Sequence, residues 1–315
     1  MPPSDEGFRD DALRSALARA LGGLPEELER LLCRSGAVVT ARPNIRLATA
    51  FGAEMAAAGA GAARLLARLG GDDAAPDTDR AFLPIAAAHG WAGRIRAGRR
   101  EDLEAAWAAL GELAGDERAP VRAGTLEALV ALAGRPGGAD ELVARARGWL
   151  GGDQEGAAGT VIADREVRFG AAALAVEALR APKVLSHVRD HQSLRDYLTA
   201  AMAEAAEAPR SASRSDARRR LLAALPRTVA AVVADAGSGE EGVRWLDAAC
   251  AAAVEPDLRA VLSDTVIALR APALGQNASV VDSVRRTLEA SAKPLRDPTR
   301  VRPGAGRGKA SRRTR

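Results

Sequence analysis

The stretch DERAPVRAGTLEALVAL, residues 116–132, carries the reading of the fold. It opens on an acidic residue, passes an apolar residue beside an arginine, and runs into a segment where Leu126, Leu129 and Val130 recur at helical spacing. Alanine, the best helix former, fills much of the remainder. Three further stretches have a similar order of parts: DREVRFGAAALAVEAL (164–179), DARRRLLAAL (216–225) and EPDLRAVLSDTVIAL (255–269). Aligned on Arg122, Arg168, Arg218 and Arg259, they stand 46, 50 and 41 residues apart. Those steps match the ~40–47 residue period of a two-helix repeat.

Outward from these segments, short breaker-rich stretches divide the chain: GGDDAAPDTD (70–79), GRPGGAD (134–140), GGDQEGAAGT (151–160), EAPRSASRSD (207–216), DAGSGEEG (235–242) and APALGQN (271–277). They read as turns between helices. Between them the apolar stripes continue, through Phe8, Leu13, Leu17 and Leu21, through Leu103, Trp107, Leu110 and Leu113, and through Leu258, Val261, Leu262, Thr265, Val266 and Leu269. Ser279 with Asp282 has the form of a capping box ahead of a last helix that carries Val280, Val281, Val284 and Leu288 and ends near Ala292, before Pro294. Pro226, inside LLAALPRTVAAVVAD, is expected to kink or divide its helix, because proline removes a donor and crowds the preceding turn. In residues 1–99, TARPNIRLATAFGAEMAAAGAGAARLLARL reads as a proline-started helix and a second short one, and FLPIAAAHGWAGRIR as another.

Asp116, Pro120, Val121 and Arg122, ahead of an Ala/Leu helix, resemble the second-helix signature of HEAT repeats, in which an acid and an arginine six residues apart ladder between neighbours. The other three copies depart from that pattern: Asp164 and Arg168 are four apart, 216–225 lacks the valine, and 255–269 lacks the six-residue spacing. The resemblance implies an all-α fold, a right-handed α-α superhelix of HEAT- or armadillo-like hairpins numbering five to seven. The chain then divides into an N-terminal helical cap of divergent repeats (1–99), HEAT-like repeats (100–292) and, by composition, a tail (293–315) expected to be basic and disordered.

Composition bounds the rest. Of 315 residues 47% are apolar but only 3% aromatic, so the expected core packs helices closely through alanine and leucine. The net charge of +4 is uneven: Lys293 to Arg315 holds nine basic residues against Asp297, leaving residues 1–292 with 36 basic and 40 acidic groups. Only Lys183, Lys293 and Lys309 are lysines, and a GC-rich coding bias accounts for the arginine preference without nucleic acid. Cys33 and Cys250 are expected as free thiols that pack as small hydrophobes in a reducing compartment. The acidic N-terminus has no apolar signal core, and no apolar run reaches the ~18–20 residues of a spanning helix, so the expectation is a cytoplasmic protein without membrane contact.

Candidate chemistry is sparse. His187 and His191, four apart in HVRDH, would share a helical face at the spacing of helical zinc sites, but Val188 stands where a zinc protease has its glutamate base. The preferred reading is a solvated helix end with no metal. GAGAARLL (59–66) and GAGRGK (304–309) follow no strand and complete no phosphate-binding pattern, so no cofactor is expected. His89, beside Trp91, reads as structural. The DNA-alkylation-repair branch of HEAT-like folds uses aromatics, a carboxylate and arginines around a damaged nucleotide. Here Trp91, Trp107, Trp149 and Trp245 are scattered rather than clustered before an aspartate, so no catalytic residue is assigned. Arg122, Arg168, Arg218 and Arg259 read as tethers between hairpins.

The tail KPLRDPTRVRPGAGRGKASRRTR lacks the apolar content to fold alone. Arg300, Arg302, Arg307, Lys309, Arg312, Arg313 and Arg315 are its candidate nucleic-acid contacts; they would bind phosphates without sequence preference and with steep salt dependence. The resulting expectation is a non-enzymatic scaffold that holds a protein partner on its concave face. Tail-led nucleic-acid binding is the first alternative and a DNA-glycosylase-like enzyme the second.

Overall fold

The computed structural model describes residues 5–291, apart from 37, 39–42, 60, 152–161, 163, 209–211, 213, 272–273 and 276–277. All regular structure among the described residues is helical, and no strand is present. The first four helices are α1 (Asp5–Leu21), α2 (Glu26–Gly36), α3 (Ile45–Ala57) and α4 (Ala62–Gly70). Asn44 caps α3, its Oδ1 accepting from Leu47 N at 3.1 Å. Next come α5 (Phe82–Arg96), α6 (Leu103–Ala114), α7 (Ala119–Ala133) and α8 (Gly138–Trp149). The breaker stretch before α5 holds only a single 3-10 turn, at Asp79–Ala81. After it follow α9 (Arg165–Leu179), the one-turn α10 (Pro182–Leu185), α11 (His191–Glu207) and α12 (Asp216–Ala234). The described chain closes with α13 (Gly239–Ala252), α14 (Pro256–Leu269) and α15 (Ala278–Ala290).

Packing sorts these helices into two rows. In one, each helix lies on the next: α3 on α5, α5 on α7, α7 on α9, α9 on α12 and α12 on α14. In the other, α4 meets α6, α6 meets α8 and α8 meets α11. The second row continues through Trp245 Nε1, which donates to Thr199 Oγ1 at 3.0 Å between α13 and α11, and through the contact of α13 with α15. A single apolar core runs from Leu13 to Leu288.

Small residues set the closeness of the first row. A Cβ on Gly52 would stand 2.5 Å from the His89 carbonyl oxygen, and one on Gly93 would collide with the Gly52 carbonyl, so α3 and α5 touch backbone to backbone. Gly115, at the end of α6, and Gly170 of α9 repeat the device between the two rows, a Cβ on Gly170 falling 2.8 Å from Gly115 Cα. The helix α5 is buried from Phe82 to Ile95 on every face, because α2, α3, α4, α6 and α7 all pack on it.

The expected stripes are buried at Leu13 and Leu17, at Trp107, Leu110 and Leu113, at Leu129, and at Val261, Leu262, Thr265, Val266 and Leu269. Leu126, Val130 and Leu258 are half-buried at the margins, and Phe8's side chain lies outside the described residues. Two expectations need correction. Pro226 does not divide its helix: α12 runs unbroken from Asp216 to Ala234 with the proline buried inside, held from either side by α9 and α14. Ser279 is not a helix cap, since α15 begins at Ala278 and encloses it, and the helix ends at Ala290. The apolar face of α15 is nonetheless as read, with Val281, Val284 and Leu288 buried and Val280 half-buried.

Candidate functional site

Side-chain hydrogen bonds and ion pairs between helices are the most organised polar feature of the molecule. Arg68 to Glu29, Arg94 to Met55, Arg145 to Glu104, Arg147 to Ser193, Arg195 to Glu241 and Arg218 to Asp257 each span 39 to 46 residues. One side chain in each pair belongs to a helix and the other group to the element about one helix pair away. The most buried example is Arg94, 3% exposed near the end of α5. Its Nη1 donates to the carbonyls of Met55 at 3.2 Å and Ala58 at 2.8 Å, the open C-terminal turn of α3, while the other face of the guanidinium holds the Asp102 carboxylate. A cation there meets the negative end of the helix dipole and adds a donor to the Met55 carbonyl, which also accepts from Ala58 N, and to the Ala58 carbonyl beyond it.

The four aligned arginines do not act alike. Arg218 is buried and joins the Ala205 carbonyl (2.8 Å) to Asp257 of α14, a tether between elements. Arg259 reaches the Ala253 carbonyl at 3.2 Å, the Leu288 carbonyl at 2.8 Å and Ser291 Oγ at 2.6 Å, which pins the end of α15 to the start of α14. Among the described residues Arg122, in the first turn of α7, bonds to the loop just before its own helix, at the carbonyls of Asp116 and Glu117. The Asp116 carboxylate is taken by Arg118, whose Nη1 continues to the Asp72 and Ala74 carbonyls at 2.7 and 3.0 Å. The bridge expected of Arg122 therefore belongs to Arg118, a residue the repeat alignment did not single out. Arg168 packs against Gly151, a glycine with φ of 80°, where a larger residue would displace the guanidinium.

The histidines are separated rather than paired. His187 falls in the turn after α10, its Nδ1 2.8 Å from the Lys183 carbonyl, whereas His191 opens α11, capped by Asp190. The helix implied by HVRDH is therefore absent: residues 186 and 187 form a turn, 188–190 carry no regular structure, and no common helical face exists. His191 Nε2 lies 3.1 Å from Asp235 Oδ2, tying α11 to the turn before α13. No group of three His, Cys, Asp or Glu side chains among the described residues could hold a metal ion. His89 is buried at 6% exposure, with Nδ1 3.5 Å from Thr49 Oγ1. Burial pushes its pKa down to about 4, the Gly124 backbone opposing and Arg96 reinforcing the shift. It is a neutral core histidine.

Aromatic side chains are likewise spent on packing. Trp91, Trp107 and Trp149 are at most 3% exposed; the last two meet at a tilt of 53° with centroids 6.2 Å apart, and the Arg145 guanidinium lies 6.0 Å from the Trp107 ring centroid. Trp245 is half-buried and hydrogen-bonded to Thr199. Both cysteines are free thiols; Cys250 is buried and its pKa is raised to about 11 by burial, then by Asp247, and burial also raises that of the half-buried Cys33. Cys33 lines an open groove of about 560 Å³ with Glu26, Glu29, Arg30, Arg34, Asp79 and Arg80, three acids against three arginines, so the lining charges balance.

Arg300, Arg302, Arg307, Lys309, Arg312, Arg313 and Arg315 lie outside the described residues. No helix among those described is long and apolar enough to cross a membrane. Compared with known family models, with the curated proteins and with solved structures, the chain matches none of them.

Proposed function

We propose that this chain is a HEAT-like helical-repeat scaffold: a right-handed superhelix of hairpins over residues 100–292, capped by divergent helices over 1–99, that holds a protein partner on its concave face in the cytoplasm. The observation that carries the reading is a set of six inter-helix tethers that span 39 to 46 residues, among cross-helix side-chain bonds whose separations also include 25 and 52, beside the 46-, 50- and 41-residue steps between the sequence copies. Contacts that recur at one helix-pair period are what stacked two-helix units require. Trp91, Trp107, Trp149 and His89 are buried in the core, and Arg94 and Arg218 are held in tethers, which favours a binding surface over a catalytic one.

The second reading, sequence-independent nucleic-acid binding, rests on the nine basic residues of 293–315. Both are tested by titrating labelled duplex DNA and single-stranded RNA with the full chain and with a 1–291 truncation, from low to near-physiological salt. The scaffold reading expects no salt-resistant binding by the truncation. Tail-led binding expects affinity in the full chain alone, with a log–log salt slope approaching about −8 on duplex DNA if every basic residue meets a phosphate. Salt-resistant binding by the truncation would overturn the scaffold reading and bring the repair-like alternative forward.

A further inference from the structure

We infer that the basic segment 293–315 docks on the outward flank of α14 of its own chain, an acidic and apolar strip that the described helices leave uncovered. This placement does not depend on what the concave face binds. The strip is one face of a helix: Asp257, Ala260, Ser263, Asp264 and Ile267 are all exposed at three- and four-residue spacing, while Val261, Leu262, Thr265, Val266 and Leu269 are buried on the opposite side. Ile267 at 64% and Val254 at 55%, just before the helix, are two of the three large apolar side chains most exposed among the described residues. Glu255 and Asp264 flank them with negative charge, Asp257 between them being paired with Arg218; Arg270 stands at the far end, its Nη2 3.4 Å from Asp282.

Three observations select the tail as occupant. The Arg259 contacts with Leu288 and Ser291 deliver the chain from the end of α15 to the first turn of α14, so segment 293–315 departs beside the acidic end of the strip. Its charge is opposite, nine basic residues against one acidic, and Leu295 and Val301 give it apolar side chains to set against Val254 and Ile267. Reach is not limiting: α14 is about 21 Å long, and a 23-residue chain can extend to roughly 75 Å. A short tether also holds the segment at millimolar effective concentration, enough for a weak electrostatic and apolar contact to be populated.

Hydrogen exchange of the full chain and of the 1–291 truncation, read over peptides covering 256–271, tests this. The amides of α14 are expected to exchange about fivefold more slowly in the full chain at low salt. The difference should vanish at 1 M salt and in the full-length Asp264→Arg variant, a surface change that leaves the helix core intact. Equal exchange in the full chain and the truncation overturns the proposal. If the truncation fails to fold, unchanged exchange in Asp264→Arg and at high salt overturns it on the full chain alone. Protection that grows with protein concentration, together with elution as a dimer, would assign the strip to a second copy instead.

Discussion

His89 concentrates the pH behaviour of the core in one side chain. Its pKa in the folded protein is about 4, against about 6.5 for an unconstrained imidazole, so the folded state resists the proton that the unfolded chain accepts. The histidine therefore costs no stability above pH 6.5, and stability drains away as pH falls from 6.5 toward 4, by up to about 3 kcal/mol. Urea midpoints at pH 7, 5.5 and 4.5 should fall more steeply in the native protein than in His89→Gln; parallel falls would show that the buried imidazole is not the sensor. Arg94 supports a second prediction at this scale. Arg94→Met strips the α3 carbonyls of their donor and leaves Asp102, 14% exposed, unpaired, a loss of about 3–5 kcal/mol. Arg19→Met breaks a pair with Glu27 that is exposed on both sides and should cost under about 1 kcal/mol. Equal costs in chemical denaturation would refute the distinction drawn between tethers and surface pairs.

Between elements, the close crossing of α3 and α5 and the unbroken course of α12 are the features most open to test. Gly93→Ala places a methyl against the Gly52 carbonyl, where neither backbone can yield, and should destabilise by about 3 kcal/mol in thermal or urea unfolding. A neutral outcome would mean that the helices can separate at no cost. Pro226→Ala restores the donor toward Leu222 in a helix whose neighbours already hold it continuous, so the change should stabilise by roughly 1–2 kcal/mol. A fall in melting temperature would indicate that the buried ring itself is needed for packing against α9 and α14.

At the scale of the molecule, one core joins Leu13 to Leu288 without a gap at any helix pair. Unfolding is expected in one cooperative step: tryptophan fluorescence, reporting mainly Trp91, Trp107 and Trp149 in the N-terminal half, should overlay far-UV circular dichroism, which reports every helix. Separate transitions would divide the molecule into independently stable blocks of repeats.

The helical class and the positions of the helices were legible in the sequence, because periodicity, alanine content and glycine-proline punctuation act within a turn or two of the chain. The stripe Val261, Leu262, Thr265, Val266, Leu269 is one example; the break read at 134–140 is another, although the turn itself occupies 134–137 and α8 already begins at Gly138. Readings that needed a residue's wider surroundings fared less well. Arg118 rather than Arg122 makes the bridge because the carbonyls of Asp72 and Ala74, 46 and 44 residues earlier, come within its reach. HVRDH misled because four-residue spacing implies a shared face only if a helix spans it, and α11 starts at the second histidine. Burial of α5 on all sides, the neutrality of His89 and the tolerance of Pro226 were decided by the tertiary structure alone. Each depends on what neighbouring helices, distant in sequence, place against the residue, and local pattern carries no record of that.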